Sequence, residues 1–332
     1  MTHEPGTTAT TETWRPRARA VVLWSTLAAT ALLLTAVALV LSWRADLPDP
    51  VASHWGPDGQ PDGFASLGGF VGTIVASTAG PCVLFAAIGW FRGQAAATRR
   101  IVAGATVWSG AFGAATLLMS LAPQRGLGDA AQAPGVGTAL AVSLLAPLVP
   151  AAVAAFLVPA DPPQAADGQV PADASRLPVA DGERVVWLRR IAGGPGVGIG
   201  AATTIGMVGV TVALQMWTLL LMPLLLGVLF AAMFAFVVRV DATGLTVRSR
   251  LGWPRTHVPA AEIERASVIE VEPMRDFGGW GWRVGRGGRV GVVLRRGEAL
   301  LVERSGGRSV AVTVDDAAAG AALLNTLAER SR

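Results

Sequence analysis

Few side chains in this chain could do chemistry. There are three histidines, His3, His54 and His257, and one cysteine, Cys82. Only His54 has a suggestive setting: Asp58 and Asp62 follow it four and eight residues on, within the polar stretch LPDPVASHWGPDGQPDG, Leu47–Gly63. A histidine with carboxylates could hold a metal if several ligands converged, or move a proton if a second group lay within reach. Gly56, Pro57, Gly59 and Pro61 break any helix that would align the three. The expectation is a non-enzymatic protein with no metal, no cofactor and no catalytic set. Cys82 lies in an apolar run and reads as a small buried side chain; as the sole cysteine it cannot form an intrachain disulfide. His3 falls in a Thr-rich tail read as disordered, and His257 in a strand candidate where a structural role is expected.

Nucleotide and hydrolase motifs do not hold up. Gly193–Gly200 is glycine-rich but has no following Lys-Ser/Thr, and it opens an apolar run. The four-residue spacing of Gly194 with Gly198, and of Gly196 with Gly200, fits close helix packing instead. GxSxG and HExxH motifs are missing.

The elements around these residues are set by composition. The chain has 332 residues, 52% hydrophobic and only 15% charged. Soluble domains carry about 25% charged residues, so the balance points to a membrane protein. All basic residues are arginine, and the net charge is only +4, which does not argue for nucleic acid. Ala20–Ser42 has no charge and is too long for a signal-peptide core, so it reads as a retained span. Further spans are expected at Leu67–Phe91, Ile101–Ala122 and Gly137–Val158, with kinks at Pro81, Pro147 and Pro150. The charge-free run Ile191–Val238 would be roughly 70 Å long as one helix, so it is expected to fold back near Gln215–Trp217 into two spans, Ile191–Leu214 and Thr218–Val238. None of the six spans so drawn carries Asp, Glu, Lys, Arg or His, which argues against ion-coupled transport.

The expected fold is an all-α transmembrane bundle of six spans followed by a small all-β barrel with a C-terminal helix. Its parts are a disordered cytoplasmic N-terminus 1–19, a four-span region 20–158 with an outer loop 43–66, a cytoplasmic linker 159–190, a two-span hairpin 191–238 and a cytoplasmic domain 239–332. Arginines alternate between the joints: Arg15, Arg17 and Arg19; then only Arg44 among four aspartates; then Arg92, Arg99 and Arg100; then Arg125; then Arg176, Arg184, Arg189 and Arg190; then none. The positive-inside rule puts both termini in the cytoplasm and Leu47–Gly63 outside.

Residues 239–332 change in kind. Leu245–Arg248 and Val310–Val314 alternate apolar and polar, and Asp241–Gly244 and Ser305–Gly307 read as turns. Seven strands are expected near 236–240, 245–250, 255–258, 265–271, 280–284, 299–304 and 309–314, with an eighth at 290–294. Asp315 or Asp316 should cap a helix over 317–328 whose Leu323, Leu324 and Leu327 form one stripe. That order, with Gly244-Leu245, Ile263 and Asp276–Arg283, resembles the pleckstrin-homology-like (PH-like) domains appended to bacterial membrane proteins. Arg283, Arg286, Arg289, Arg295 and Arg296 have no acid between Asp276 and Glu298, and are a candidate face for anionic lipid.

Leu47-Pro48, Val51-Ala52-Ser53-His54-Trp55 and Gly59-Gln60-Pro61-Asp62-Gly63, set between two spans, resemble domain-of-unknown-function family 1648. The resemblance covers about the first 70 residues. It implies a small multi-span bacterial protein of the cytoplasmic membrane, related to SdpI-type immunity proteins that protect against a secreted toxin. The expected function is sensing, immunity or envelope-associated binding, with His54, Trp55, Gly59, Pro61 and Asp62 as recognition residues. The expected partners are the bilayer, an extracytoplasmic peptide or protein, and a cytoplasmic protein or anionic lipid. A permease or channel subunit is the alternative.

Overall fold

The computed structural model describes residues 14–332, apart from Asp167, Asp181, Met216 and residues 286–288. The N-terminal tail with His3, and Arg286 of the basic run, therefore lie outside the described residues. The chain forms two compact units, Met1–Asp161 with Gly209–Leu221, and Pro162–Val208 with Met222–Arg332.

In the first unit, helix α1 (Arg15–Ser42) leads to a two-stranded hairpin, β1 (Val51–Trp55) and β2 (Pro61–Ala65), and then to α2 (Leu67–Arg92). Helix α3 (Ala96–Leu121) follows, and the fourth apolar segment breaks at Ala146–Pro147 into α4 (Gly137–Leu145) and α5 (Leu148–Leu157). The break has the expected cause, since proline has no N–H to give the preceding turn. Pro81, by contrast, lies within an unbroken α2.

Helix α3 is the hub, touching α1, α2, α4 and α5. Small residues let it approach. A Cβ on Gly110 would lie 2.5 Å from the Ala29 carbonyl oxygen of α1, and one on Gly104 would lie 3.2 Å from the Ala151 carbonyl of α5. Close backbone approach is how apolar helices gain packing where lipid offers no hydrophobic drive. At one end of α3, Arg99 is 2% exposed. It donates to the Gly93 and Gln94 carbonyls at 2.9 Å and to Asp161 Oδ1 at 2.6 Å. The other oxygen of Asp161 accepts the Ala96 N–H at 2.9 Å, satisfying a free donor at the start of the helix.

In the second unit the elements depart from the expected span boundaries. Residues 187–190, expected to end a linker, and 191–192, expected to open a span, together form strand β3 (Trp187–Ala192). Helices α6 (Pro195–Ala213) and α7 (Leu221–Met233) follow, then β4 (Ala235–Asp241). Strand β3 pairs with β4 from Trp187↔Val240 to Ala192↔Ala235. The charge-free run is thus strand at both ends and helix only between. Phe236, Val238 and Val240 are each 0% exposed, so their apolar character belongs to a sheet core. Five helical segments of the described residues are long and apolar enough to cross a membrane: α1, α2, α3, α4 with α5, and α6. The sixth apolar segment, α7, has 13 residues, or about 20 Å, against a core of about 30 Å. The chain is a multi-pass membrane protein on this count.

Next come β5 (Gly244–Ser249), β6 (Arg255–Pro259), β7 (Ile263–Val271), the short helix α8 (Pro273–Phe277), β8 (Gly281–Val284), β9 (Val290–Val293), β10 (Gly297–Arg304), β11 (Arg308–Thr313) and α9 (Ala317–Arg330). They do not close into the expected barrel. They form two sheets, β3-β4-β5-β6 and β7-β10-β11-β9-β8, and among the described residues no ladder joins them. A 3₁₀ turn at Ala260–Glu262 separates the neighbouring edges β6 and β7. Pairs are antiparallel except β11 with β9. Helix α9 packs on strands of both sheets, and its Leu323, Leu324 and Leu327 are buried as the pattern predicted. Asp316 precedes the helix but makes no capping bond; its carboxylate instead accepts from Trp187 Nε1 at 3.2 Å and pairs with Arg189.

The described residues of 162–186 are irregular, as their composition implied, yet fastened to the sheets and α9. Arg176 pairs with Glu329 at 2.6 Å, Arg265 with Asp173 at 2.9 Å, and Thr326 Oγ1 bonds both the N–H and the carbonyl of Leu177.

Candidate recognition site

Leu47–Gly63 is an ordered hairpin, and its glycines and prolines build it. Pro57 and Asp58 occupy the middle of a turn closed by Gly59 N–H to the Gly56 carbonyl at 2.9 Å, and Gly56 N–H reaches the Gln60 carbonyl at 2.9 Å. Gly59 has φ +76°, the left-handed conformation glycine adopts freely. Asp58 Oδ1 accepts the Gln60 N–H at 3.1 Å, so this carboxylate serves the turn. Across the strands, Gly63 stands opposite His54. A Cβ there would lie 2.8 Å from the His54 Cβ, so the last glycine of the motif makes room for the imidazole.

The hairpin does what a helix could not. It brings His54 Nδ1 to 2.5 Å from Asp62 Oδ1, with the side chains 72% and 51% exposed. The carboxylate orients the ring and the pair faces outward. Pro61 begins β2, and Trp55 ends β1 with its Nε1 donating to the Pro134 carbonyl at 3.1 Å. Of the five candidates, His54 and Asp62 therefore form the exposed pair, while Trp55, Gly59 and Pro61 shape the support.

The support includes a second loop that the sequence reading left out. Gln124, 0% exposed at the end of α3, receives the Ala52 N–H on Oε1 at 2.8 Å and donates from Nε2 to the Ala52 carbonyl at 3.0 Å. Ala52, Ala130 and Ala133 form a small buried cluster with Trp55 and Leu127 against it. Arg125 pairs with Asp46 at 3.0 Å, and its guanidinium lies over the Trp43 ring, 4.9 Å from the centroid. The first and third joints thus make one cap at one end of the helices. A glutamine directly after an apolar run was the available signal.

The other candidate face is less simple than its sequence. Arg295 pairs with Asp315 at 2.5 Å, and Arg296 with Glu272 at 3.0 Å. Arg283 Nε donates to the Trp280 carbonyl at 2.8 Å, and Arg289 Nε to Ser309 Oγ at 3.3 Å. Arg289 precedes β9 and Arg295 follows it, so the run is divided between the two ends of a strand about 13 Å long. Trp282 packs on Phe236, with ring centroids 6.1 Å apart. His257 Nδ1 lies 2.9 Å from Thr246 Oγ1 on the paired strand.

Two carboxylates in this unit are tuned by their neighbours. Asp276 is held below the ordinary aspartate range, first by the hydrogen bond from Arg275 and then by the Glu272 N–H. For Asp241, burial pushes the carboxyl upward, but the Thr243 hydroxyl and N–H and the charge of Arg239 outweigh it, so the net shift is downward.

Residues 30–76 match the family model described as Domain of unknown function (DUF1648). The match runs from within α1, through the whole hairpin, into α2. No curated protein and no solved structure matches the chain.

Proposed function

We propose that this is a non-enzymatic sensing or immunity protein of the bacterial cytoplasmic membrane, related to the SdpI type, which recognises an extracytoplasmic peptide or protein through the hairpin cap. The observation that carries the reading is the exposed His54–Asp62 pair on a hairpin stapled to the α3–α4 loop. Preorganised polar groups on a rigid support bind with less ordering entropy than a mobile loop, and the match to the family model falls on this stretch. Six spans are read from the apolar segments, and the arginine distribution orients them with both termini cytoplasmic. For the sixth, α7 together with the four-residue 3₁₀ turn Trp217–Leu220 reaches about 28 Å. Two sheets with one helix packed on both support a PH-like reading of the C-terminal part, as an interaction module on the inner side.

The test places a photoreactive residue at Phe64, which is 45% exposed beside the pair, in cells carrying the full chain. The expected result is a discrete adduct that disappears in H54A/D62A while membrane insertion is unchanged. An undiminished adduct in the double variant, or none in the parent, would sink the reading.

A further inference from the structure

The tip of the β5–β6 hairpin joins two features that do not usually sit together. Leu251 is 58% exposed and Trp253 67% exposed. Around them Arg248, Arg250 and Arg255 are exposed as well. Arg248 and Arg255 are direct partners across the two strands, so their side chains leave the same face with Cβ atoms about 5 Å apart. Like charges so placed repel and destabilise the pair. The register extends the row: Arg190 pairs with Val237, and Val237 with Arg248. Arg190, Arg248 and Arg255 thus lie in line across the outer face of one sheet. Among the described residues none of these arginines has a carboxylate partner, unlike Arg295 and Arg296.

The topology fixes where this row lies. Strand β3 runs into α6, and α7 runs into β4. The Ala192–Ala235 pair is therefore the end of the sheet next to the apolar helices. Strand β5 returns toward that end, and Arg250 N–H bonds the Ala235 carbonyl at 2.9 Å. The arginine row is two residues from Ala235, about 7 Å away. The Leu251–Trp253 tip lies beyond it, on the helix side.

From this geometry we infer that the β5–β6 tip is an interfacial anchor that seats the sheet on an anionic lipid surface. Trp253 and Leu251 enter the headgroup boundary, and Arg190, Arg248, Arg250 and Arg255 meet lipid phosphates. Tryptophan favours that boundary because one ring carries an apolar body and an N–H donor. Each arginine near an anionic leaflet adds attraction that salt screens. The occupant is the same bilayer that holds α6 and α7, so the inference rests on the reading that those helices enter it.

The experiment uses the full chain with Cys82→Ser in nanodiscs, labelled with an environment-sensitive fluorophore at one introduced cysteine: L251C at the tip, A242C in the turn at the far end of the sheet, or L224C within α7. Nanodiscs contain phosphatidylcholine with or without phosphatidylglycerol, and quenchers are nitroxide lipid or aqueous iodide. At L251C most emission should be lost to nitroxide lipid when phosphatidylglycerol is present. Much less should be lost in phosphatidylcholine alone or in the R190Q/R248Q/R255Q background, and A242C should respond only to iodide. A label at 251 quenched by iodide like that at 242, or shielded from both quenchers as at a protein interface, overturns the anchor. Equal lipid quenching with and without phosphatidylglycerol overturns the headgroup contact. Iodide quenching at L224C overturns instead the reading that α7 is in the bilayer.

Discussion

Gln124 and Ala52 are 72 residues apart, yet the glutamine amide exchanges two hydrogen bonds with the alanine backbone as a neighbouring strand would. Its Nε2 also donates to the Ser120 carbonyl one turn back. Both residues are fully buried, so the amide completes a strand edge that water does not reach.

Gln124→Leu should strand the Ala52 N–H and carbonyl, at about 1–3 kcal/mol for each buried group left unpaired. Hydrogen exchange at Ala52 and limited proteolysis across residues 47–63 read the effect directly, and both should rise while α1 and α2 stay protected. Unchanged exchange would mean that the apolar cluster alone holds the hairpin.

Arg99 with Asp161 is a nearly dry pair, 2% and 22% exposed. Arg99→Ala removes the guanidinium from Asp161 Oδ1, and breaking such pairs typically costs about 3–5 kcal/mol. The thermal midpoint in detergent should fall sharply. Asp161→Asn keeps a hydrogen-bonding group toward Ala96 N–H and should be milder. Both variants keep an acceptor for the Ala96 N–H, so equal losses would assign the effect to the lost pair itself rather than to an uncompensated carboxylate.

At Gly110 even a methyl group meets the Ala29 backbone of α1. Gly110→Ala should destabilise by about 1–3 kcal/mol through forced separation of α1 and α3. Gly72→Ala, where a Cβ meets nothing within 4 Å, should be neutral in the same melting assay. A neutral Gly110→Ala would show that α1 shifts freely.

The lowered pKa of Asp276 gives a pH dependence of definite sign. Because the folded value lies below the ordinary aspartate value of about 3.9, its stabilisation is fully present above that value. It is lost as pH falls from there through the lowered one. Protection over residues 272–284, hydrogen exchange taken relative to the intrinsic rate at each pH, should therefore fall below about pH 4 in the parent. In Asp276→Asn protection should be lower at neutral pH and change little through the same range.

Much of this molecule is legible without coordinates, because membrane helices and amphipathic patterns are local. The run Ala20–Ser42 is long and apolar enough to cross hydrocarbon whatever surrounds it, and the Leu323–Leu324–Leu327 stripe identifies the buried face of α9 from spacing alone. The motif HWGPDGQPDG also marks the candidate site, since its turn chemistry is written in adjacent residues. What the chain does not display locally is decided by pairing between distant segments. The absence of charge in 191–192 and 234–238 reads the same for a bilayer and for a sheet core, and only the β3–β4 ladder separates them. Asp315 and Glu272 neutralise Arg295 and Arg296 from positions outside the basic run. The register of three strands instead lines up Arg190, Arg248 and Arg255, which sequence order keeps apart. Composition sets the solvent each segment tolerates, because transfer free energy is a property of the side chain. Which groups meet is a property of topology, because hydrogen-bond ladders and helix packing join residues without regard to their separation along the chain.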